Sequence, residues 1–185
     1  MFGRLFRARS EGGGNPASLY GAIVAQARSP ALYADLGVPD TVEGRFEMVV
    51  LHTVLVMRRL RGAGSAVEET GQAVFDLFCR DMDRSLREMG VGDLAVPKRM
   101  RKIGEGFYGR AAAYEAGLGA GAAGLAEALA RNIWPDRDGP RIGTGLAAYA
   151  VAAAAELDRT DAGTIAGGRT PFPDPAAFAT AEAAS

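Results

Sequence analysis

Apolar residues recur along this chain at helical spacing, and no stretch alternates well enough to make a convincing strand. Asn15-Pro16 reads as a cap followed by proline in the first turn. Leu19, Ile23 and Ala27 then repeat at helical spacing until Pro30 stops the helix. Ala31 to Leu36 is at most a short helix before Gly37 and Pro39. Thr41 opens a helix to about Arg61 with Phe46, Val50, Val54, Met57 and Leu60 on one stripe. Met48, Val49 and Val56 lie on its other faces, so this helix is apolar nearly all round and belongs at the centre. Ser65-Ala66-Val67-Glu68 reads as a capping box for the next one. Val67, Gly71, Val74, Phe75, Phe78, Met82, Leu86 and Met89 follow as an amphipathic stripe that Gly90 ends. Pro97 starts a helix with Met100, Ile103, Phe107, Ala111, Tyr114 and Leu118 on one face. Leu125, Leu129 and Ile133 mark a shorter helix closed before Pro135, and Ile142, Leu146, Tyr149, Ala153 and Leu157 mark the last.

After Asp158 the period fails, and Gly167, Gly168, Pro171, Pro173 and Pro175 read as an extended tail with at most a short element near Thr164 to Ala166. The expected fold is all-α: a single-domain bundle of about six or seven helices with an irregular C-terminal tail. The expected divisions are a flexible basic N-terminus over 1–14, a helical domain over 15–158 and a Pro/Gly-rich tail over 159–185.

Composition narrows the chemistry. At 185 residues, 48% hydrophobic and 23% charged, the chain can build one ordinary core without a disulfide or a metal, and general disorder is excluded. Its net charge of -1 makes the whole molecule no polyanion binder. One cysteine, Cys79, makes neither an internal disulfide nor a cysteine-rich zinc site, and one histidine, His52, rules out any site needing two imidazoles. No metal, cofactor or catalytic set is expected. The opening residues lack the apolar core of a secretory signal, and the apolar stretches Met48 to Met57 and Leu146 to Ala155 are too short to span a bilayer. A soluble, cytoplasmic protein is expected, peripheral to the membrane at most. Phe2, Leu5 and Phe6 alternate with Arg4, Arg7 and Arg9, a pattern that fits either a frayed basic tail or a segment dipping into an anionic membrane surface.

Four motifs bear on chemistry. Gly119-Ala120-Gly121-Ala122-Ala123-Gly124 matches G-x-G-x-x-G, but a helix precedes it instead of a strand, so a tight interhelical loop is the better reading. Asp81-Met82-Asp83 sits mid-helix, where successive side chains diverge by about 100° and cannot share one ion. Asp83 before Arg87 and Asp76 before Arg80 suit surface ion pairs instead. His52 has no nucleophile or acid spaced to accompany it and reads as a partly buried structural residue; Cys79 reads as a small buried hydrophobe.

Lys98, Arg99, Arg101 and Lys102 cluster in the first turns after Pro97, where cations oppose the helix dipole. Solvation alone accounts for such a cluster; so does a phosphate, RNA or acidic lipid partner. Tyr108 is rotated away from the apolar stripe, toward the small residues Gly104 and Ala112. It fits either an aromatic grip for an apolar segment or interfacial core. Lys98, Arg99, Lys102, Tyr108 and Arg110 form the candidate partner-binding set.

Several ordered blocks carry a resemblance. They are Tyr33 to Asp40 (YADLGVPD), Gly44-Arg45-Phe46-Glu47-Met48 with Leu51-His52, Phe75 to Leu94 (FDLFCRDMDRSLREMGVGDL), Val96-Pro97-Lys98, and Phe107-Tyr108-Gly109-Arg110 with Ala113-Tyr114. Together, over roughly Ser18 to Leu157, they resemble the ubiquinol–cytochrome c chaperone family, with the first dozen residues and the proline-rich tail outside. The resemblance implies an all-α assembly factor without enzymatic activity. Its mitochondrial members bind newly made cytochrome b near the ribosomal tunnel exit, with a small helical partner protein, until the bc1 complex is built. The chain looks like a bacterial relative. The implied partners are thus nascent or newly inserted cytochrome b, the ribosome, a small helical protein and, transiently, the membrane surface. The rival readings are a basic-faced ribosome- or RNA-binding helical module and a small helical enzyme. An open apolar groove without a convergent polar pocket favours the chaperone over the enzyme; a continuous basic face without such a groove favours the RNA module.

Overall fold

The computed structural model describes residues 14–136 and 143–179. The basic opening segment with Phe2, Leu5 and Phe6, the stripe residue Ile142 and the last six residues fall outside that description. Among the described residues there are eight α-helices and no strand. They are α1 (Pro16–Ala27), α2 (Pro30–Ala34), α3 (Val42–Leu60), α4 (Ser65–Glu88), α5 (Val96–Gly119), α6 (Gly121–Ile133), α7 (Thr144–Arg159) and α8 (Ala162–Ala166), followed by a 3-10 turn at Pro175–Phe178.

Helix α3 is the central element, as its all-round apolar character requires. Thr41 Oγ1 accepts the Gly44 amide at 3.1 Å, Glu43 stands in the first turn and Arg58 and Arg59 in the last, all favourable to the helix dipole. Eleven of its nineteen residues are buried, and the exposed ones, Val42, Glu43 and Arg45, fall at its start. It packs against α1, α4, α5, α6, α7 and α8. Alanines at 147, 150, 153 and 154 let α7 approach closely.

Helices α5 and α6 form a tight antiparallel pair around the glycine-rich stretch. A Cβ on Gly117 would sit 2.8 Å from Leu125 Cα, and Gly121 holds φ at +85°, so both positions require glycine. The G-x-G-x-x-G match is thus an interhelical loop with small residues for close packing.

Two local expectations need correction. Ser65 is the first residue of α4, not its cap: Gly64 takes the cap position with φ +99°. Glu68 reaches past it to accept the Gly62 amide at 2.7 Å. The glycines at 62 and 64 both adopt positive φ, and this turn starts the helix one residue earlier than the serine pattern implies. The chain after Asp158 is irregular but closely packed on the body. Asp161 caps α8 by accepting the Thr164 amide at 2.8 Å, and Ile165 is fully buried. The Asn15 amide donates to Ala166 O at 2.7 Å, and Gln26 Nε2 donates to Pro173 O at 3.2 Å. Phe172 meets His52 edge-on at 5.1 Å and Phe178 meets Tyr149 at 5.8 Å. Aromatic rings spaced by prolines supply apolar anchors without any helical period.

Candidate functional site

Helices α1, α3, α4 and α5 leave an open groove of about 430 Å³ between them. Val24, Phe46, Val49, Met82, Leu86 and Ile103 line it, with Val42 and Met89 at 62% and 56% exposure. The stripe of α4 positions this wall: its N-terminal part, through Val74 and Phe78, is sealed against the core, whereas Met82 and Met89 come out onto the groove. Of the four charged groups there, Arg28, Glu43, Arg45 and Asp81, the last two are engaged by neighbours. Arg45 Nε donates to Asp40 at 2.6 Å, and Asp81 accepts the Tyr20 hydroxyl at 3.0 Å and pairs with Arg84. What remains is an apolar trough with two flexible thioethers, able to adapt to a helical surface.

The outer face of α5 flanks it. Lys98, Arg99, Arg101 and Lys102 are exposed, and among the described residues none of them forms an ion pair. Tyr108 is 60% exposed, its ring 5.6 Å from Phe75 and 5.9 Å from Phe107, and space beside Gly104 is open. Arg101 stands seven residues before Tyr108 and shares its face of α5, a relation visible in the spacing but left out of the candidate set.

Arg110 belongs elsewhere. Its Nε and Nη2 donate to Glu47 Oε2 and Oε1 at 2.8 and 2.5 Å, and its Nη1 donates to Gly106 O at 3.1 Å. Its guanidinium lies 5.8 Å over the Phe46 ring. Glu47 is 5% exposed, so this is a two-pronged internal tie between α3 and α5 that holds the guanidinium above its ordinary pKa. Unlike the other members of the candidate set, Arg110 is thus engaged inside the fold.

The remaining candidates are structural. Asp83 accepts Arg87 Nε at 2.7 Å as the spacing predicts; Asp76 instead accepts Gln72 Nε2 at 3.0 Å. Cys79 is half-buried against the core, and burial raises its thiol. His52 is fully buried, more than expected. The hydrogen bonds fix its tautomer: Nδ1–H donates to Met48 O at 2.7 Å, so Nε2 accepts the Tyr149 hydroxyl at 2.7 Å, which in turn accepts from Gln26 Nε2 at 3.0 Å. Among the described residues no three His, Cys, Asp or Glu side chains are grouped to hold a metal ion.

Burial holds His52 at a pKa of about 4 against an ordinary 6.5, the bond to Met48 O offsetting only part of the desolvation. The folded state resists protonation while the unfolded chain accepts it. The contribution is thus complete above pH 6.5 and is lost as pH falls toward 4. Lowering pH from about 7 to 4.5 should remove about 2–3 kcal/mol of stability through this residue. Urea titrations at both pH values should show a smaller drop in His52→Gln; an equal drop in both proteins would assign the pH dependence to other groups.

The fold has a counterpart among known proteins. The sequence profile described as ubiquinol–cytochrome C chaperone matches residues 34–172, three quarters of the chain. The chain belongs to the ubiquinol–cytochrome c chaperone family. The crystal structure of the Cbp3 homolog from Brucella abortus is similar, with TM-score 0.80 and 41% identity over 86% of this chain and 89% of that one. Among curated proteins none matches. Membership makes the chain a chaperone and assembly factor of the ubiquinol–cytochrome c reductase class. The family match runs beyond Leu157 to Phe172, into the segment the sequence blocks left outside. The packing of Phe172 on His52 accounts for this: that segment completes the core. Among the described residues no helix is long and apolar enough to cross a membrane.

Proposed function

We propose that the groove receives an apolar helix of newly made cytochrome b and that the chain holds this client until the bc1 complex is assembled, with no reaction of its own. The open apolar groove between α1, α3, α4 and α5 carries this reading, and membership in the chaperone family supports it. A client with many membrane-spanning helices presents long apolar surfaces before it meets its partners. A trough walled by valine, phenylalanine and methionine shields such a surface without demanding one sequence.

Deleting the gene should lower assembled bc1 complex and spare other respiratory enzymes; normal spectroscopic cytochrome b and normal quinol–cytochrome c activity would sink the reading. Val42→Asp with Met89→Glu tests the groove itself. Both side chains are more than half exposed, so the fold should persist while co-purified cytochrome b falls at least about tenfold, the effect of losing roughly 1.4 kcal/mol of binding. A folded double variant that captures cytochrome b as well as wild type would move the client elsewhere.

A further inference from the structure

We infer that the turn between α4 and α5, with the first turns of α5, docks on an anionic phospholipid bilayer. The turn Gly92–Ala95 is closed by the Ala95 amide donating to Gly92 O at 2.8 Å, with the Val96 amide reaching the same oxygen at 3.3 Å. This fixes Leu94 at its corner with 99% exposure. The one acid in the turn, Asp93, is taken up by Arg87 Nη1 at 2.5 Å. Directly after Leu94 come Lys98, Arg99, Arg101 and Lys102, exposed and without ion pairs among the described residues. Around the helix these four spread over the solvent half of α5, at about 100° per residue, and with exposed Glu105 as the acid among them they present a net positive surface.

The combination selects the partner. Unpaired cations alone serve any polyanion, but a rigidly presented leucine gains nothing against a phosphate backbone in water. At a bilayer it enters the acyl boundary while the cations meet lipid phosphates, and the long lysine and arginine stems can lie along the interface. Ile103 on the same helix and Met89 at the end of α4 line the groove, so the membrane-facing end adjoins the trough. This inference goes beyond the client reading and uses no client in its test, so either can fail alone.

The purified full chain should co-sediment with vesicles containing about one-third phosphatidylglycerol, and not with pure phosphatidylcholine, with binding weakened by salt. Lys98→Glu/Lys102→Glu should lower vesicle affinity at least about 25-fold, about fivefold for each cation lost. Leu94→Ser removes only a solvent-exposed side chain, so folding should be unchanged and affinity should fall about tenfold. Leu94→Trp should show a blue-shifted increase in emission with anionic vesicles only. Absence of binding to anionic vesicles at low salt overturns the inference. So does binding lost in the charge variant but untouched by Leu94→Ser, the result for a site that prefers a polyanion such as RNA. Binding retained by both variants overturns it too and assigns membrane contact to another segment, such as the basic opening residues.

Discussion

Phe78→Ala should destabilise the protein by about 3–5 kcal/mol, a large share of the 5–15 kcal/mol that holds an ordinary domain. Phe78 is fully buried on α4, with its ring centroid 6.3 Å from Phe46 on α3, 5.3 Å from Phe107 on α5 and 6.1 Å from Phe75. Three helices thus meet on one ring. Alanine removes the ring's burial and leaves a void that these helices, tied elsewhere, cannot close. A urea titration should show a lowered midpoint with an unchanged slope. Tyr108→Ala, on an exposed ring of the same cluster, should cost less than about 1 kcal/mol. Equal costs at the two positions would refute this packing.

Arg110→Ala is expected to cost about 3 kcal/mol, because it leaves the Glu47 carboxylate buried without its counter-charge. The figure sits at the lower end for buried pairs since the Arg110 side chain keeps 22% exposure. The pair as such is a tie of modest net value. Replacing both partners, as Glu47→Leu/Arg110→Met, should therefore recover most of the loss. Denaturation of the single and double variants measures the coupling. A single variant within about 0.5 kcal/mol of wild type would make the tie incidental.

The long helices were legible because one stripe per helix repeats over several turns. α3 was readable even as a central helix, since Met48, Val49 and Val56 spoil any polar face. The loop reading of Gly119 to Gly124 followed from the helix before it. What escaped depended on partners far along the chain. Glu47 and Arg110 are 63 residues apart, and His52 and Tyr149 are 97 apart. A signal for Arg110 was nonetheless present: it follows Phe107 by three and precedes Tyr114 by four, which places it beside the apolar stripe of α5. The groove was foreseen only as a kind of surface, because the α4 stripe looks the same where it is sealed at Val74 and where it is open at Met82. The packing of the C-terminal segment was invisible because Phe172 and Phe178 follow no period; only their contacts with His52 and Tyr149 give them meaning.

The joining of α1 to the far end of the chain constrains how this protein is made. Gln26 bonds to Pro173, 147 residues later, and Asn15 bonds to Ala166. On the ribosome α1 emerges well before the residues that cover it, Ala166 and Pro173. The α5–α6 hairpin can close as soon as it is extruded, since its contacts are local. The seat of α1 beside α3 cannot be locked until Pro173 has left the exit tunnel. Translation therefore passes through a stage in which Leu19, Ile23 and the His52 side of α3 lack their covering chain. For part of its own synthesis, this chaperone is itself an unfinished polypeptide in need of protection.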